Sequence, residues 1–352
     1  MKTITVHASR IYDVRVGQGL LSGTGETLRA LGAGSRVALV SDDNVFPLYG
    51  ERAEKSLTQA GFTVLRFVFP AGEKSKNLAV YGALLNAMCE AGLSRFDTVA
   101  ALGGGVVGDL AGFAAATYQR GAGFIQLPTS LLAAVDSSVG GKTAVDLTAG
   151  KNQVGAFYQP MAVLCDTDVF ATLPEEEVQN GAAEVVKTAM IADAALFETL
   201  EREPARVISE ETVARCVAVK RDHVEKDERD LGVRMMLNFG HTFGHAVEAV
   251  SGYTVPHGRA VAMGMAAVAR AAHAMGYCDE SVARRLTAML EKAGLPTALP
   301  YSAEDLARAA GTDKKSAGDQ VRLIVPRAIG RCDILSVEKS ALSDWLKAGG
   351  AR

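Results

Sequence analysis

No two of the five cysteines can be read as a working pair. Cys89, Cys165, Cys216, Cys278 and Cys332 are odd in number and scattered, and none forms a CxxC. That fits free thiols in a reducing compartment and speaks against a disulfide framework or a thiolate metal site. Charge of one sign is also lacking. The 37 basic and 40 acidic residues leave a net −3, so neither nucleic acid nor an anionic membrane is the expected main partner. Any cationic site must be local. Long apolar runs are absent too. The opening MKTITVHASR has no apolar core and does not read as a signal peptide. The most apolar late stretch, AVAMGMAAVARAAHAMGY, is broken by Arg270 and His273 and is too short to span a bilayer. There is no internal repeat and no low-complexity linker. The expectation is a cytoplasmic globular protein, for which 48% hydrophobic and 22% charged residues is an ordinary composition.

At 352 residues the chain exceeds one typical core, which suggests two domains. The first half alternates β-branched runs with helical patterns. ITVHASRIYDVRVG reads as a pair of strands, RVALVSD as a strand, and PLYGERAEKSLTQAG as a helix closed by Gly61. TVLRFVFP, KNLAVYGALLNAMCEAG and DTVAALG continue as strand, helix and strand. Such alternation implies a parallel sheet covered on both faces. From about Leu173 helix formers dominate, until QVRLIVP and GRCDILSV suggest one small hairpin before a last helix. The expected architecture is α/β: a Rossmann-like parallel-sheet domain over 1–170, then a mainly helical domain over 171–352. The absence of a linker suggests an active site in the cleft between them.

Three stretches carry chemistry. Gly103, Gly105 and Gly108 form a GxGxxG after a strand and at the start of a helix. Glycines so placed let backbone N–H groups approach a pyrophosphate at the positive end of a helix. A tight strand–helix turn explains the same pattern equally well. No acid sits at a strand end some 20 residues downstream, where a Rossmann unit holds the ribose. The best acid, Asp42, lies upstream, so a dinucleotide site here would have a different chain order. In DSSVGGKTAVDLTAGKNQVGAFYQP, GGKT lacks the first glycine of GxxxxGK[ST], because Asp136 stands there. The residues after GGKT alternate like a hairpin, and a nucleotide triphosphatase is rejected. Lys142, Lys151 and Asn152 on glycine-flexed turns still make a grip for a small anion.

Only six histidines are present, and His241, His245 and His257 fall close together. The i, i+4 spacing of HTFGH puts two imidazoles on one helix face. Without the glutamate of HExxH, metalloprotease chemistry is not supported. Glu184 sits on an otherwise apolar helical face with Lys187 one turn later. A buried carboxylate beside a lysine needs a partner, and a divalent ion is a good one. Two histidines, one glutamate and an open position make a catalytic zinc set. A helix-face histidine pair without metal remains the alternative.

Taken together, GGGVVGDLAGFAAATYQRG, LPTSLLAAVDSSVGGKTAVD, GKNQVGAFYQP, NGAAEVVKTAM and LNFGHTFGHAVE with HGRAVAMGM closely resemble the 3-dehydroquinate synthase family, one of the sugar-phosphate cyclases. The resemblance runs from about Asp42 to Lys315. It implies a Rossmann-like domain followed by a helical one, a homodimer, NAD, and one divalent metal, usually zinc with cobalt as a substitute. It further implies conversion of 3-deoxy-D-arabino-heptulosonate 7-phosphate to 3-dehydroquinate and phosphate, in the shikimate pathway to the aromatic amino acids. By the same resemblance the metal ligands are Glu184, His241 and His257. Asp42, Asn44, Glu73, Lys76, Gly104, Gly105, Val106, Asp109, Thr129, Ser130, Asp136, Lys151, Thr172 and Glu177 match cofactor positions. Lys142, Asn152, Lys187, Lys220, Arg234, Asn238, His245 and one of Lys314 and Lys315 match positions that hold the substrate, with Lys314 preferred. Arg120 matches a residue contributed across the dimer interface. Ser130 replaces a common threonine and keeps its hydroxyl, and Asp230 stands where a glutamate is expected.

The implied route is a hydride loan to NAD, β-elimination of phosphate, return of the hydride, ring opening and an intramolecular aldol closure. NAD is then catalytic and is not consumed. Rivals are a cyclase making an inosose or a valiolone, a metal-dependent polyol dehydrogenase, and an inactive NAD-binding regulator. Lys142, Lys151, Lys187, Lys220 and Arg234 exceed what a dehydrogenase needs, and an inactive regulator would be expected to have lost ligands.

Overall fold

The structure, a computed structural model, describes residues 1–311 and 319–352. It divides into two compact units, Met1–Leu173 with Lys220–Arg229, and Pro174–Val219 with Asp230–Arg352.

In the first unit the expected pair of strands, β1 (Lys2–His7) and β2 (Ile11–Gly17), pairs antiparallel. Then come α1 (Thr24–Ala30), β3 (Arg36–Asp42), α2 (Glu51–Gln59), β4 (Thr63–Phe69), α3 (Leu78–Glu90), β5 (Thr98–Gly103), α4 (Gly105–Thr117) and β6 (Gly123–Pro128). A separate hairpin, β7 (Lys142–Leu147) with β8 (Gly150–Phe157), precedes β9 (Ala162–Asp166). The main sheet has seven strands in the order β1-β2-β9-β6-β5-β3-β4, parallel apart from β1. Every residue of β5 is buried, as expected of a strand with both faces covered. β6 and β9 are not foreseen from the sequence, because short apolar runs of this kind show no alternation.

The connections place a functional crevice. From β3 the chain steps outward to β4, returns past β3 to β5, and continues the other way to β6. The strand order therefore reverses between β3 and β5, and open α/β sheets bind ligands outside the carboxyl ends at such a point. α4 lies close on the sheet because Gly108 and Gly112 have no side chain. A Cβ on Gly108 would sit 2.6 Å from the Gln126 Oε1, and one on Gly112 would sit 2.9 Å from the Phe124 ring.

The second unit contains α5 (Glu175–Ala192), α6 (Ala194–Arg202), most of α7 (Glu210–Lys226), α8 (His241–Val250), α9 (His257–Ala274), α10 (Glu280–Lys292) and α11 (Ala303–Gly311). The expected hairpin follows as β10 (Gln320–Ala328) and β11 (Arg331–Glu338), before α12 (Leu342–Ala348). α9 is buried on nearly all sides, from Gly258 to Ala272. That burial accounts for its apolar sequence, since a helix hydrophobic all round belongs in a core. Among the described residues no helix is long and apolar enough to cross a membrane. α8 and α9 touch backbone to backbone. A Cβ on Gly240 would lie 2.8 Å from the Val261 carbonyl oxygen, and one on Gly264 would lie 2.8 Å from the Gly244 nitrogen.

Candidate functional site

In the first unit the GxGxxG opens at the carboxyl end of β5. Gly103 and Gly108 are explained by packing, since a Cβ on Gly103 would meet Val107 at 2.5 Å. Gly104 is not. Its φ is −77°, and the nearest atom to a Cβ there is the Ser130 Oγ at 3.4 Å, an ordinary contact. No contact within the described residues demands glycine at 104. Gly104 caps α4 and leaves the first N–H groups of that helix without a side-chain cap. Gly104, Gly105, Val106 and Asp109 form a half-buried face in an otherwise buried segment. Beside them at the end of β6 the Thr129 N–H donates to the Gly103 carbonyl at 3.0 Å, and the Ser130 Oγ accepts from the Ala133 N–H.

Asp42 ends β3. Val40 pairs with Ala101, so two residues further on Asp42 comes level with Gly103 across the parallel pair. The upstream acid thus reaches the glycine turn, because the sheet sets β3 next to β5. Its Oδ1 accepts from the N–H groups of Asn44 and Val45 at 3.0 and 2.8 Å. Burial raises its carboxyl above the usual range against those two donors. Asn44 and Glu177 are exposed, and the Thr172 hydroxyl is hydrogen bonded to the Tyr49 hydroxyl.

A polar chain links α4 to the β7–β8 hairpin. The Lys76 Nζ, almost fully buried, pairs with the Asp109 Oδ2 at 2.6 Å and donates to the Asn152 Oδ1 at 2.6 Å, with Glu73 at 3.8 Å. Burial works against the Lys76 charge, but Asp109 and Glu73 outweigh it and hold the ammonium above its ordinary pKa. Asn152 has φ of 53°, a left-handed conformation that asparagine tolerates, and its N–H donates to the Asp146 Oδ1 at 2.7 Å. With its carbonyl taken by Lys76, Asn152 has its amide N–H groups to offer. Lys142 is exposed at the start of β7 and Lys151 half-buried in β8. Lys220, from the second half of α7, donates to the Asp136 Oδ1 at 2.8 Å and to its backbone carbonyl. Arg120 is exposed just after α4, where both Gln119 and Arg120 have positive φ.

In the second unit Glu184, His241 and His257 converge. Glu184 lies midway along α5, and the two histidines are the first residues of α8 and α9. The Glu184 Oε1 is 3.6 Å from the His241 Nε2 and 3.5 Å from the His257 Nε2. Those separations are long for hydrogen bonds. Ligands about 2.0–2.1 Å from zinc at tetrahedral corners lie roughly 3.3–3.4 Å apart, so the donor set fits such an ion. The other ring nitrogens are fixed. The His241 Nδ1 faces the Phe239 carbonyl at 3.1 Å, and the His257 Nδ1 faces the Glu248 Oε2 at 3.3 Å. With protons there, both Nε2 lone pairs point at Glu184.

The electrostatics ask for a positive charge between these donors. Burial disfavours charge on His257, but Glu184 and Glu248 outweigh it and raise its pKa to about 10. Burial, with Lys187 nearby, pushes His241 well below the ordinary imidazole value despite Glu184. The imidazoles of His241, His245 and His257 lie 5.3–6.0 Å apart, and His245 joins a second possible donor group with Glu248 and His257. Lys187 is buried in contact with the Glu184 Oε2. Arg234 is buried, and the Asn238 amide donates to the Met235 carbonyl at 3.0 Å. Lys314 and Lys315 lie outside the described residues.

Two further residues are not singled out by the sequence. Glu248 stands seven residues after His241 and three after His245, so it shares their face of α8, and that spacing was available as a signal. Asn180, one turn before Glu184, accepts the Gly258 N–H on its Oδ1 at 2.5 Å and pins the start of α9 to α5. Nothing in the sequence connected those two positions.

The family model described as 3-dehydroquinate synthase N-terminal matches residues 66–180, and its C-terminal counterpart matches residues 181–316. The 3-dehydroquinate synthase of Pelobacter propionicus is 44% identical over 351 residues, covering 97% of this chain and 98% of that protein. Among solved structures, a 2-deoxy-scyllo-inosose synthase with carbaglucose-6-phosphate, NAD+ and Co2+ has a TM-score of 0.88 at 26% identity, covering 98% of this chain and 99% of that one. A 2-epi-5-epi-valiolone synthase from Streptomyces hygroscopicus with NAD+ and Zn2+ has a TM-score of 0.88 at 27% identity, covering 98% of each chain.

Proposed function

We propose that this chain, which belongs to the 3-dehydroquinate synthase family, holds its divalent metal on Glu184, His241 and His257 and its NAD along Asp42, Gly104, Gly105 and Asp109. Its reaction converts 3-deoxy-D-arabino-heptulosonate 7-phosphate to 3-dehydroquinate and phosphate. The observation that carries the site reading is the donor spacing of 3.5 and 3.6 Å around the Glu184 Oε1. The cyclases solved with NAD+ and with cobalt or zinc support the same cofactor pair here. Bound at these sites, the metal would supply Lewis acidity toward substrate hydroxyls, and NAD would supply a reversible hydride acceptor.

The chain's own residues do the holding. Lys142, Lys187, Lys220 and Arg234 neutralise the carboxylate and phosphate of a polyanion, while Asn152, Asn238 and His245 orient its hydroxyls. Lys314 belongs to the same group by its motif. Glu73, Lys76, Thr129, Ser130, Asp136, Lys151, Thr172 and Glu177, with Asn44 and Val106, complete the cofactor contacts. The buried Lys76 acts chiefly through others, since its ion pair with Asp109 and its bond to Asn152 set the geometry of both. The protein works in the cytoplasm as a homodimer, in which Arg120 reaches the partner subunit's substrate. Its exposed position on a strained turn supports that reading.

The decisive experiment tracks product and cofactor together. Dehydroquinate, identified by NMR, and phosphate should appear in equal amounts, with NAD required but unchanged in quantity. Steady accumulation of NADH in step with substrate loss would establish a polyol dehydrogenase, and an inosose or valiolone product would establish a different cyclase.

A further inference from the structure

Glu248 stands where local physics disfavours a carboxylate. It lies in the last turn of α8, whose carbonyl end is partially negative, and it is only 6% exposed. Its backbone is fixed as well. Gly252, with φ of 63°, ends the helix in a Schellman turn, in which the Tyr253 N–H donates to the Glu248 carbonyl at 2.7 Å and the Gly252 N–H donates to that of Ala249 at 3.1 Å. The Ser251 hydroxyl donates to the Glu248 carbonyl too, at 2.9 Å. The turn reverses the chain so that α9 begins with His257 beside the last turn of α8, and the Glu248 Oε2 meets the His257 Nδ1 at 3.3 Å.

We propose that Glu248 is the positioning residue for His257. It accepts a hydrogen bond from the Nδ1–H, fixes the tautomer and ring plane, and leaves the Nε2 lone pair on the Glu184 side. This rests on the reading of Glu184, His241 and His257 as the metal ligands. His245, Glu248 and His257 also group closely enough to suggest a second ion. The geometry points against it, because a Nδ1 that donates to Glu248 has no lone pair for a metal. A ring binding ions through both nitrogens would have to give up both protons. The acid tightens one site and does not build another.

The test measures zinc affinity by chelator competition on the full chain, with Co2+ absorption spectra and NAD affinity alongside. Removing an outer partner of a ligating histidine lowers metal affinity by about 10–100-fold, so Glu248→Ala should fall in that range and shift the Co2+ bands. Glu248→Gln keeps an acceptor for Nδ1–H and should lose less, with a spectrum close to wild type. NAD affinity should stay at the wild-type value in both, and an unchanged far-ultraviolet circular dichroism spectrum certifies the helical fold. Zinc affinity within twofold of wild type in folded Glu248→Ala overturns the proposal. If Glu248→Ala does not fold, the same criterion applied to Glu248→Met, which fills the space without an oxygen acceptor, decides. A second zinc equivalent in the wild type that Glu248→Ala loses would make Glu248 a ligand and also overturn it. His257→Ala separates the two levels. If that variant keeps its zinc, the ligand reading itself fails. If it loses zinc while Glu248→Ala binds zinc as wild type does, only the positioning role fails.

Discussion

Gly258→Ala is the smallest change that should disturb the metal site without touching a ligand. The residue stands next to His257 at the start of α9, and its N–H is bound to the Asn180 Oδ1 at 2.5 Å. An added Cβ would lie 2.6 Å from that Oδ1 and 2.8 Å from the Asn180 carbonyl carbon, closer still to the carbonyl oxygen, where ordinary contact begins at 3.4 Å. Helix backbone cannot swing aside as a side chain can, so the first turn of α9 should withdraw from α5 by about 1 Å. His257 moves with it and opens its 3.5 Å spacing from the Glu184 Oε1. Metal sites tolerate about ±0.2 Å in ligand distance, so the shift should weaken zinc binding by at least about tenfold. A misplacement of about 1 Å costs on the order of a hundredfold in turnover. Overpacking adds a stability loss of about 1–3 kcal/mol. Zinc titration, turnover at saturating zinc and chemical denaturation of the metal-free protein measure the three effects. A variant that matches wild type in zinc affinity and turnover would refute the idea that the contact between α5 and α9 sets the ligand geometry.

At Gly82 the sign reverses: a Cβ there meets nothing within 4 Å, so Gly82→Ala should stabilise the protein by about 0.5–1 kcal/mol in denaturant melts. Metal uptake should be linked to His257. In the metal-free protein its pKa is raised to about 10. The stability from that proton is therefore complete below the free-imidazole pKa of about 6.5 and fades as pH rises toward 10. Zinc must expel the Nε2 proton, so apparent affinity should rise about tenfold per pH unit across that window. Calorimetry in buffers of different ionisation enthalpy should find close to one proton released, and none released at pH 7 would contradict the assignment. Lys142→Ala should weaken substrate binding at least about tenfold, because a hydrogen bond to a charged group contributes about 1.5–3 kcal/mol. NAD binding should be unaffected, and calorimetry showing NAD as the main loss would move Lys142 to the cofactor site.

Short-range physics made much of this protein legible from its residues. Alternation identified the β1–β2 and β10–β11 hairpins, and the failed Walker pattern around GGKT became the β7–β8 hairpin. Helical spacing put His241 and His245 on one face of α8, and the glycine run falls where β5 gives way to α4. These features depend on neighbours within a turn or two, where sterics and periodicity operate directly. Features beyond that reach came only with the tertiary structure. Asp42 could be recognised as a candidate, but only the sheet order brings β3 beside β5 and makes an upstream acid level with Gly103. The residues alone left three histidines open as ligands. The docking of α8 on α9 through Gly240, Gly244 and Gly264, and of α9 on α5 through Gly258, aims His241 and His257 at Glu184. The Lys220–Arg229 segment groups with the first unit for a similar reason, since Glu225 and Glu228 accept from the N–H groups of His7 and Ser9, and Lys220 binds Asp136. Contacts between residues so distant in the chain leave no periodic trace, because they are settled by which surfaces fit once the helices have formed.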